Sequence, residues 1–327
     1  MRVLVTGATG FTGGHLARAL RARGDEVTAM VRSAQGAALL QQDGIRPVVG
    51  DLARPATLPE ALRGGYDIIY NIAALYRQAG LADSVYHQVN ATGVGQLIEA
   101  AAAAGIPRVV HCSTVGVHGD VEHPPANEDA PLRPGDVYQV SKAEGERVAR
   151  EVAARTGVEV VIARPSGIYG PGDRRLLKLF RGVARRRFAI LGDGRIFYHL
   201  TYINDLVEGF RLCGEVPGAA GRTYILAGAE VPVLNDLVAM IAEEAHVPPP
   251  NIYLPVWPFW FAGAVCEAIC APLGIEPPIY RRRVDFFTKS RAFDISRARA
   301  ELGYAPRVDL RQGIRRTLVW YKQQGWL

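Results

Sequence analysis

The 327-residue sequence is poor in cysteine: Cys112, Cys213, Cys266 and Cys270 are the only four, and no pair of them has metal-ligand or disulfide-framework spacing. A structural metal centre and a disulfide-stapled fold are thereby excluded. Reduced, packed thiols are expected, with Cys266 and Cys270 four apart in an apolar helical pattern. Internal repeats and low-complexity linkers are absent too. The charge imbalance is small, 38 basic against 32 acidic residues. The basic clusters (Arg174-Arg175, Arg185 to Arg187, Arg281 to Arg283, Arg315-Arg316) are not interleaved with base-stacking aromatics, so solvated faces are expected and nucleic acid is not. The first strand signal starts at Arg2, so no leader is expected and the cytoplasm is the expected location.

Long uninterrupted apolar runs are also missing. The nearest approach, Leu254 to Ile275, carries Pro258 and Glu267, whereas a spanning helix wants about 20 apolar residues without such breaks. A core-packed helix of a small lobe is the first expectation for it. The alternatives are a lipophilic substrate wall or a peripheral membrane face, the latter helped by the nearby Arg281 to Arg283.

What the sequence does have, at its very start, is glycine in a telling place. A β-forming run, Arg2 to Thr6, feeds into Gly7, Gly10 and Gly13, and an amphipathic stretch (Leu16, Ala17, Leu20) follows. Strand, glycine turn and helix in that order are what a dinucleotide-binding βαβ unit requires. Gly7 allows the tight turn, Gly10 lets backbone approach a pyrophosphate, and Gly13 lets helix pack on strand. Phe11 and Thr12 open the helix whose free N–H groups meet the phosphate charge. The spacing is G-x-x-G-x-x-G, a loose match to the general fingerprint.

Further strand signals lie at Val27 to Val31, Pro47 to Val49, Asp67 to Tyr70, Arg108 to Cys112 and Val158 to Ala163. Helical stretches, notably Val94 to Ala104 and Lys142 to Arg155, alternate with them. This order predicts an α/β fold, a Rossmann-type doubly wound parallel sheet with right-handed crossovers. Residues 1–165 form the nucleotide-binding domain in this reading, and 166–327 a smaller, mostly helical substrate lobe. A stretch around 201–228 rejoins the sheet through Arg222 to Leu226, and a helix follows over Val233 to Ala245.

Tyr138 and Lys142 stand four apart at the start of a helical pattern and share one face. A tyrosine with an ordinary pKa of about 10 is a poor base, and an ammonium one turn away favours its phenolate. The pair sits between the fifth and sixth strands of a dinucleotide-binding sheet, where such a tyrosine can exchange a proton with substrate.

With these stretches the chain resembles the extended short-chain dehydrogenase/reductase superfamily, the NAD-dependent epimerase/dehydratase family. The resemblance runs through Gly50-Asp51-Leu52, Asn71 to Ala74, Asn90, Cys112-Ser113-Thr114, Tyr138 to Lys142, Arg164-Pro165 and Tyr169 to Gly172. It implies a catalytic set of Thr114, Tyr138 and Lys142, with Lys142 also holding the nicotinamide ribose. It further implies cofactor contacts at Asp51, Leu52, Ala73, Ala74, Asn90, Pro165 and Ile168, and substrate contacts at Leu75, Ser113, Thr114, Tyr169 and His199. A homodimer through the helices starting near Val94 and Lys142 is implied as well.

The end of the second strand bears on cofactor choice. Val31 stands where NAD-bound relatives carry an acid, and Arg32 and Ser33 follow, so NADP(H) is favoured with NAD(H) usable. Val115 and Gly116 replace the Asp-Glu of sugar-nucleotide dehydratases, which argues against dehydration. Tyr198 stands where UDP-sugar epimerases carry a diphosphate-gripping Arg, with Arg195 and Arg282 as the alternative grips. Arg164 to Asp173, Gly192 to Gly194 and Thr201 to Ile203 look like the 3β-hydroxysteroid dehydrogenase branch. The expected activity is NAD(P)H-dependent interconversion of a secondary alcohol and a ketone on a sterol-like or long-chain substrate. A UDP-sugar C4-epimerase is the first alternative, and a non-catalytic NADP-sensing protein the second.

Overall fold

The computed structural model describes residues 1–33, 35, 37–78, 80–270 and 281–327. Residues 271–275 of the apolar stretch and the side chain of Arg282 lie outside the described residues.

Six strands alternate with helices through the first half: β1 (Arg2–Thr6), β2 (Glu26–Val31), β3 (Arg46–Val49), β4 (Ile68–Asn71), β5 (Arg108–Cys112) and β6 (Glu159–Pro165). Short strands β7 (Gly167–Tyr169), β8 (Ile190–Leu191) and β9 (Leu200–Tyr202) precede β10 (Thr223–Leu226), and β11 (Tyr253–Leu254) is the last. Among the described residues the main sheet is seven-stranded in the order β10-β6-β5-β4-β1-β2-β3, and each of its pairings is parallel. The order reverses between β1 and β4, so a crevice opens beyond their carboxyl ends. Of the 201–228 stretch only β10 rejoins this sheet, because β9 pairs with β7 in a separate ribbon.

The helices of the first half are α1 (Phe11–Ala22), α2 (Ala38–Gln42), α3 (Leu58–Ala61), α4 (Asp83–His87), α5 (Gly93–Ala103) and α6 (Val137–Thr156). Alternation along each strand splits the core in two. Leu4, Ile69 and Val109 face α5 and α6, while Val5, Tyr70 and Val110 face the opposite layer. The second half adds α7 (Leu177–Ala184), α8 (Ile203–Glu215) and α9 (Leu234–Ala245). It ends with α10 (Val256–Cys270), α11 (Arg281–Thr288), α12 (Ser296–Leu302) and α13 (Leu310–Gln323). α8 packs on the sheet beside α1, whereas α9 packs against α13 in the lobe.

The core-packed expectation for the apolar stretch is corrected. In α10 only Gly263 is buried, and Trp257 is 72% and Phe261 61% exposed. Apart from Glu267 the helix is apolar all round, so no stripe selects a face, and among the described residues α11 packs against it. Cys266 and Cys270 are accordingly half-buried free thiols. No described helix is long and apolar enough to cross a membrane.

Candidate active site

The crevice is a cleft of about 970 Å³. Its floor begins where β1 turns at Gly7, whose φ of +69° and 2.9 Å clearance from Ala73 to an added Cβ leave room only for glycine. A Cβ on Gly13 would collide with the Gly7 carbonyl oxygen, so α1 can lie this close to β1 only with glycine there. α1 starts without a side-chain cap, and Gly7, Gly10, Phe11, Thr12 and Gly13 all line the cleft. Its unsatisfied N–H groups therefore suit a diphosphate. Arg32, Asp51 and Leu52 continue this half, and Ala73, Ala74, Pro165 and Ile168 border its centre.

Tyr138 lies in the first turn of α6, which is capped by Asp136 accepting the Gln139 N–H at 2.9 Å. Asp136 also pairs with Arg77 at 2.7 Å, tying the loop after β4 to the helix start. The Tyr138 ring meets Tyr76 edge-on at 4.9 Å, with the Arg77 guanidinium 5.7 Å from its centre. Burial pushes the phenol well above its ordinary range, neighbouring Cys112 and Tyr76 add to this, and Arg77 and Arg175 pull weakly the other way. The phenol is therefore a proton donor as it stands. Lys142, expected to draw it toward phenolate, instead donates to the Cys112 carbonyl at 2.6 Å from beneath the cleft wall.

Thr114 follows β5 and opens a short turn, its Oγ1 accepting the Gly116 N–H at 3.0 Å. Among the described residues its hydroxyl proton has no acceptor, and the residue lines the cleft. Ser113 is different. Its hydroxyl donates to Glu146 at 2.6 Å, and Arg164 grips the same carboxylate at 2.8 and 2.6 Å.

The structure brings Leu75, Ser113, Thr114 and Tyr138 to one cleft wall but leaves Lys142, beneath that wall, and four other expected residues off it. Ser33 is exposed beyond β2. Asn90 is buried, its amide exchanging bonds with the Leu75 backbone at 2.8 and 3.0 Å, so it holds the loop that carries Leu75. Tyr169 and His199 are packed in the lobe core: Tyr169 donates to Leu310 O at 3.4 Å, and both His199 nitrogens are used, on Gly228 O and Phe293 N–H. Tyr198, read as standing in place of a diphosphate-gripping Arg, lines the substrate half, and Tyr76, Arg77, Arg175, Phe286 and Arg291 line it without having been expected there. Tyr76-Arg77 directly follows the Asn71 to Leu75 stretch and could have been found. Arg291 reaches the cleft from beyond α11, which no local spacing announces.

A profile of the NAD-dependent epimerase/dehydratase family matches residues 3–227. The chain belongs to that family. It is an NAD(P)-dependent enzyme of the extended short-chain dehydrogenase/reductase type. The 2-alkyl-3-oxoalkanoate reductase of Stenotrophomonas maltophilia is 32% identical to it, over 97% of this chain and 98% of the relative. The decarboxylating sterol-4-alpha-carboxylate 3-dehydrogenase erg26 of Schizosaccharomyces pombe is 29% identical, over 97% and 96% of the two chains. The solved structure of MoeE5 with UDP-glucose and NAD superposes with a TM-score of 0.77, at 27% identity and 99% coverage of each chain. The glycine turn and uncapped α1 are the part of this family member that fits its nicotinamide dinucleotide.

Proposed function

We propose that the enzyme interconverts a ketone and a secondary alcohol, with NADPH as the preferred reductant, on an apolar substrate carrying a carboxylate next to the reacting carbon. The observation that carries this reading is the pairing of a protonated Tyr138 and an uncommitted Thr114 hydroxyl with Arg291 in one cleft. The Arg291 guanidinium lies 5.9 Å from the Tyr198 ring centre, and its one hydrogen bond among the described residues is to Asp285 O at 3.5 Å. Tyr198, Phe286 and Leu75 supply apolar wall around it. The printed names of the two relatives support the same class: in both, the carboxylate hangs on the carbon adjacent to the oxo or hydroxyl carbon. Arg32, exposed at the end of β2 with Val31 in place of an acid, supports NADPH.

When bound, the nicotinamide supplies the hydride. Tyr138 donates its proton to the substrate oxygen as negative charge grows there, and the Thr114 hydroxyl donates a hydrogen bond to the same oxygen. Lys142 anchors the cofactor end of α6 from below, and Arg291 fixes the carboxylate so that the neighbouring carbonyl meets Tyr138.

The test is oxidation of a long-chain 2-alkyl-3-hydroxy acid by NADP⁺, compared with its methyl ester. A charge-assisted contact is worth about 1.5–3 kcal/mol, so the acid should be favoured by about tenfold to a hundredfold, and Arg291→Met should erase that preference. Tyr138→Phe should cut turnover by about 10²–10⁴ while NADP⁺ binding stays unchanged. Inert acid and ester, together with NAD released on denaturation and protection by UDP-sugars, would point to an epimerase instead.

A further inference from the structure

Three buried polar side chains stand side by side near the carboxyl ends of the three central strands of the sheet. In the parallel register Thr6 of β1 is opposite Asn71 of β4, and Asn71 is opposite His111 of β5. One step earlier on the same face the row is Leu4, Ile69 and Val109. Thr6, Asn71 and His111 are each 0% exposed. Such a row is costly unless every group is satisfied, and here each one is.

The bonds run in one direction. The Ala73 N–H donates to Thr6 Oγ1 at 2.9 Å, and the Thr6 hydroxyl donates to Asn71 Oδ1, 2.8 Å away, its one acceptor among the described residues. That fixes the Asn71 amide with Nδ2 toward His111 Nδ1, 3.2 Å away. His111 Nδ1 must then accept, which leaves the ring proton on Nε2. Nε2 faces the Lys142 Nζ at 3.5 Å. An N–H aimed at an ammonium is two donors in opposition. Aimed at a neutral amine it meets a lone pair, and the two amine protons remain for Cys112 O and for the cleft.

We propose that the Thr6–Asn71–His111 row is a tautomer lock, and that His111 is a positioning residue that holds Lys142 as its uncharged amine in the cofactor-free protein. The lock starts at Ala73, whose other side borders the cofactor half of the cleft, so the backbone there and the amine of Lys142 are ends of one chain of bonds.

Other ionisable groups facing the pair do not undo this. Burial holds His111 well below its ordinary range, Lys142 adds to this only while it carries its charge, and Arg150 adds to it throughout; burial lowers Lys142 against the opposing pull of Cys112 and Glu146. The Cys112 thiol is itself pushed up by burial to about 11, and the Glu146 carboxylate is already held by Arg164 and Arg150.

Long-range proton–nitrogen NMR of the histidine rings tests the lock in the wild-type protein, with His111→Phe used to assign the signal. The expected result is an Nε2–H ring that does not titrate between about pH 5 and 9, beside a Lys142 amine that loses its proton well below the ordinary lysine value of about 10.4. An Nδ1–H ring, or a Lys142 that titrates near the ordinary value, overturns the proposal. Asn71→Asp then reverses the lock, because the carboxylate accepts from Nδ1 and leaves Nε2 as an acceptor. The ring should change tautomer and Lys142 should gain about tenfold or more in proton affinity. A tautomer that survives Asn71→Asp unchanged also overturns the proposal. If that variant does not fold, the wild-type measurement still decides. Neither reading needs a substrate, so the outcome is independent of the reaction proposed above.

Discussion

The cofactor half of the cleft is shaped by backbone and the substrate half by side chains. Around Gly7, Gly10 and Gly13 the walls are peptide groups, set by one turn, one register and the start of α1. Around Tyr138 the walls are Tyr76, Arg77, Tyr198, Phe286 and Arg291, delivered from the loop after β4, the lobe and the segment beyond α11. A backbone-built surface tolerates almost no added atom, and the peptide groups that form it do not titrate. A side-chain-built one tolerates exchange of its members but inherits their ionisation.

The largest effect expected on the cleft tests the first of these claims. Gly13→Ala puts a methyl into the Gly7 carbonyl oxygen, and only backbone can move to relieve it. Overpacking of this kind costs about 1–3 kcal/mol, and the displaced turn should also lose most of its affinity for the nicotinamide cofactor. Gly218→Ala is the matched control, since a Cβ there meets nothing within 4 Å and φ is unstrained. Urea midpoints and NADPH titration of both variants check it. Equal behaviour would mean the turn is not as tight as it looks.

The same contrast explains how far the sequence could be read. The glycine turn, the strand order and the Tyr138–Lys142 spacing are local patterns, and local patterns survive in one dimension. Strand boundaries fell within a residue or two for the same reason: Arg108 to Cys112 was read whole, and only Pro165 and Arg164 extend β6 past the expected Ala163. What the sequence could not carry is where a side chain goes after the chain has turned. Tyr169 and His199 sit in conspicuous stretches yet point into the lobe core, while Arg291, in no motif, reaches the cleft. The row of Thr6, Asn71 and His111 is a further case, because each is ordinary alone and only the register aligns them.

The second claim predicts pH sensitivity beneath the substrate half. His118 follows Thr114 in the turn after β5, and its Nε2 accepts from Arg164 at 3.1 Å. Burial, with the Arg164 charge second, lowers its pKa from 6.5 to about 4. The unfolded chain therefore takes up a proton here that the folded chain refuses, so stability falls as pH drops from about 6.5 toward 4, by on the order of 2 kcal/mol from this residue. His118→Gln keeps an acceptor for Arg164 but cannot titrate. Its urea midpoint should stay flatter across that window than that of the wild type, and an identical slope would place the sensitivity elsewhere.

The smallest effect is expected farthest from both halves, on α10. No residue of Val256–Cys270 lines the cleft, and the large side chains of this helix are already in contact with solvent. Composition alone would rank Trp257 among the most stabilising residues of the chain, because a buried Trp is worth about 3–5 kcal/mol against Ala. Exposure reverses that ranking. At 72% exposed, Trp257 has little apolar contact to lose, so Trp257→Ser should change stability by no more than about 0.5 kcal/mol and leave NADPH binding untouched. α5 shows what the same kind of sequence does when two layers enclose it: there Leu97 and Ile98 are fully buried between the sheet and α6, and Leu97→Ala should cost about 2–5 kcal/mol. Urea denaturation of the two variants side by side measures how much of an apolar helix's stabilising power comes from its neighbours. A Trp257 effect approaching that of Leu97 would mean that α10 is covered in solution by something beyond the described residues.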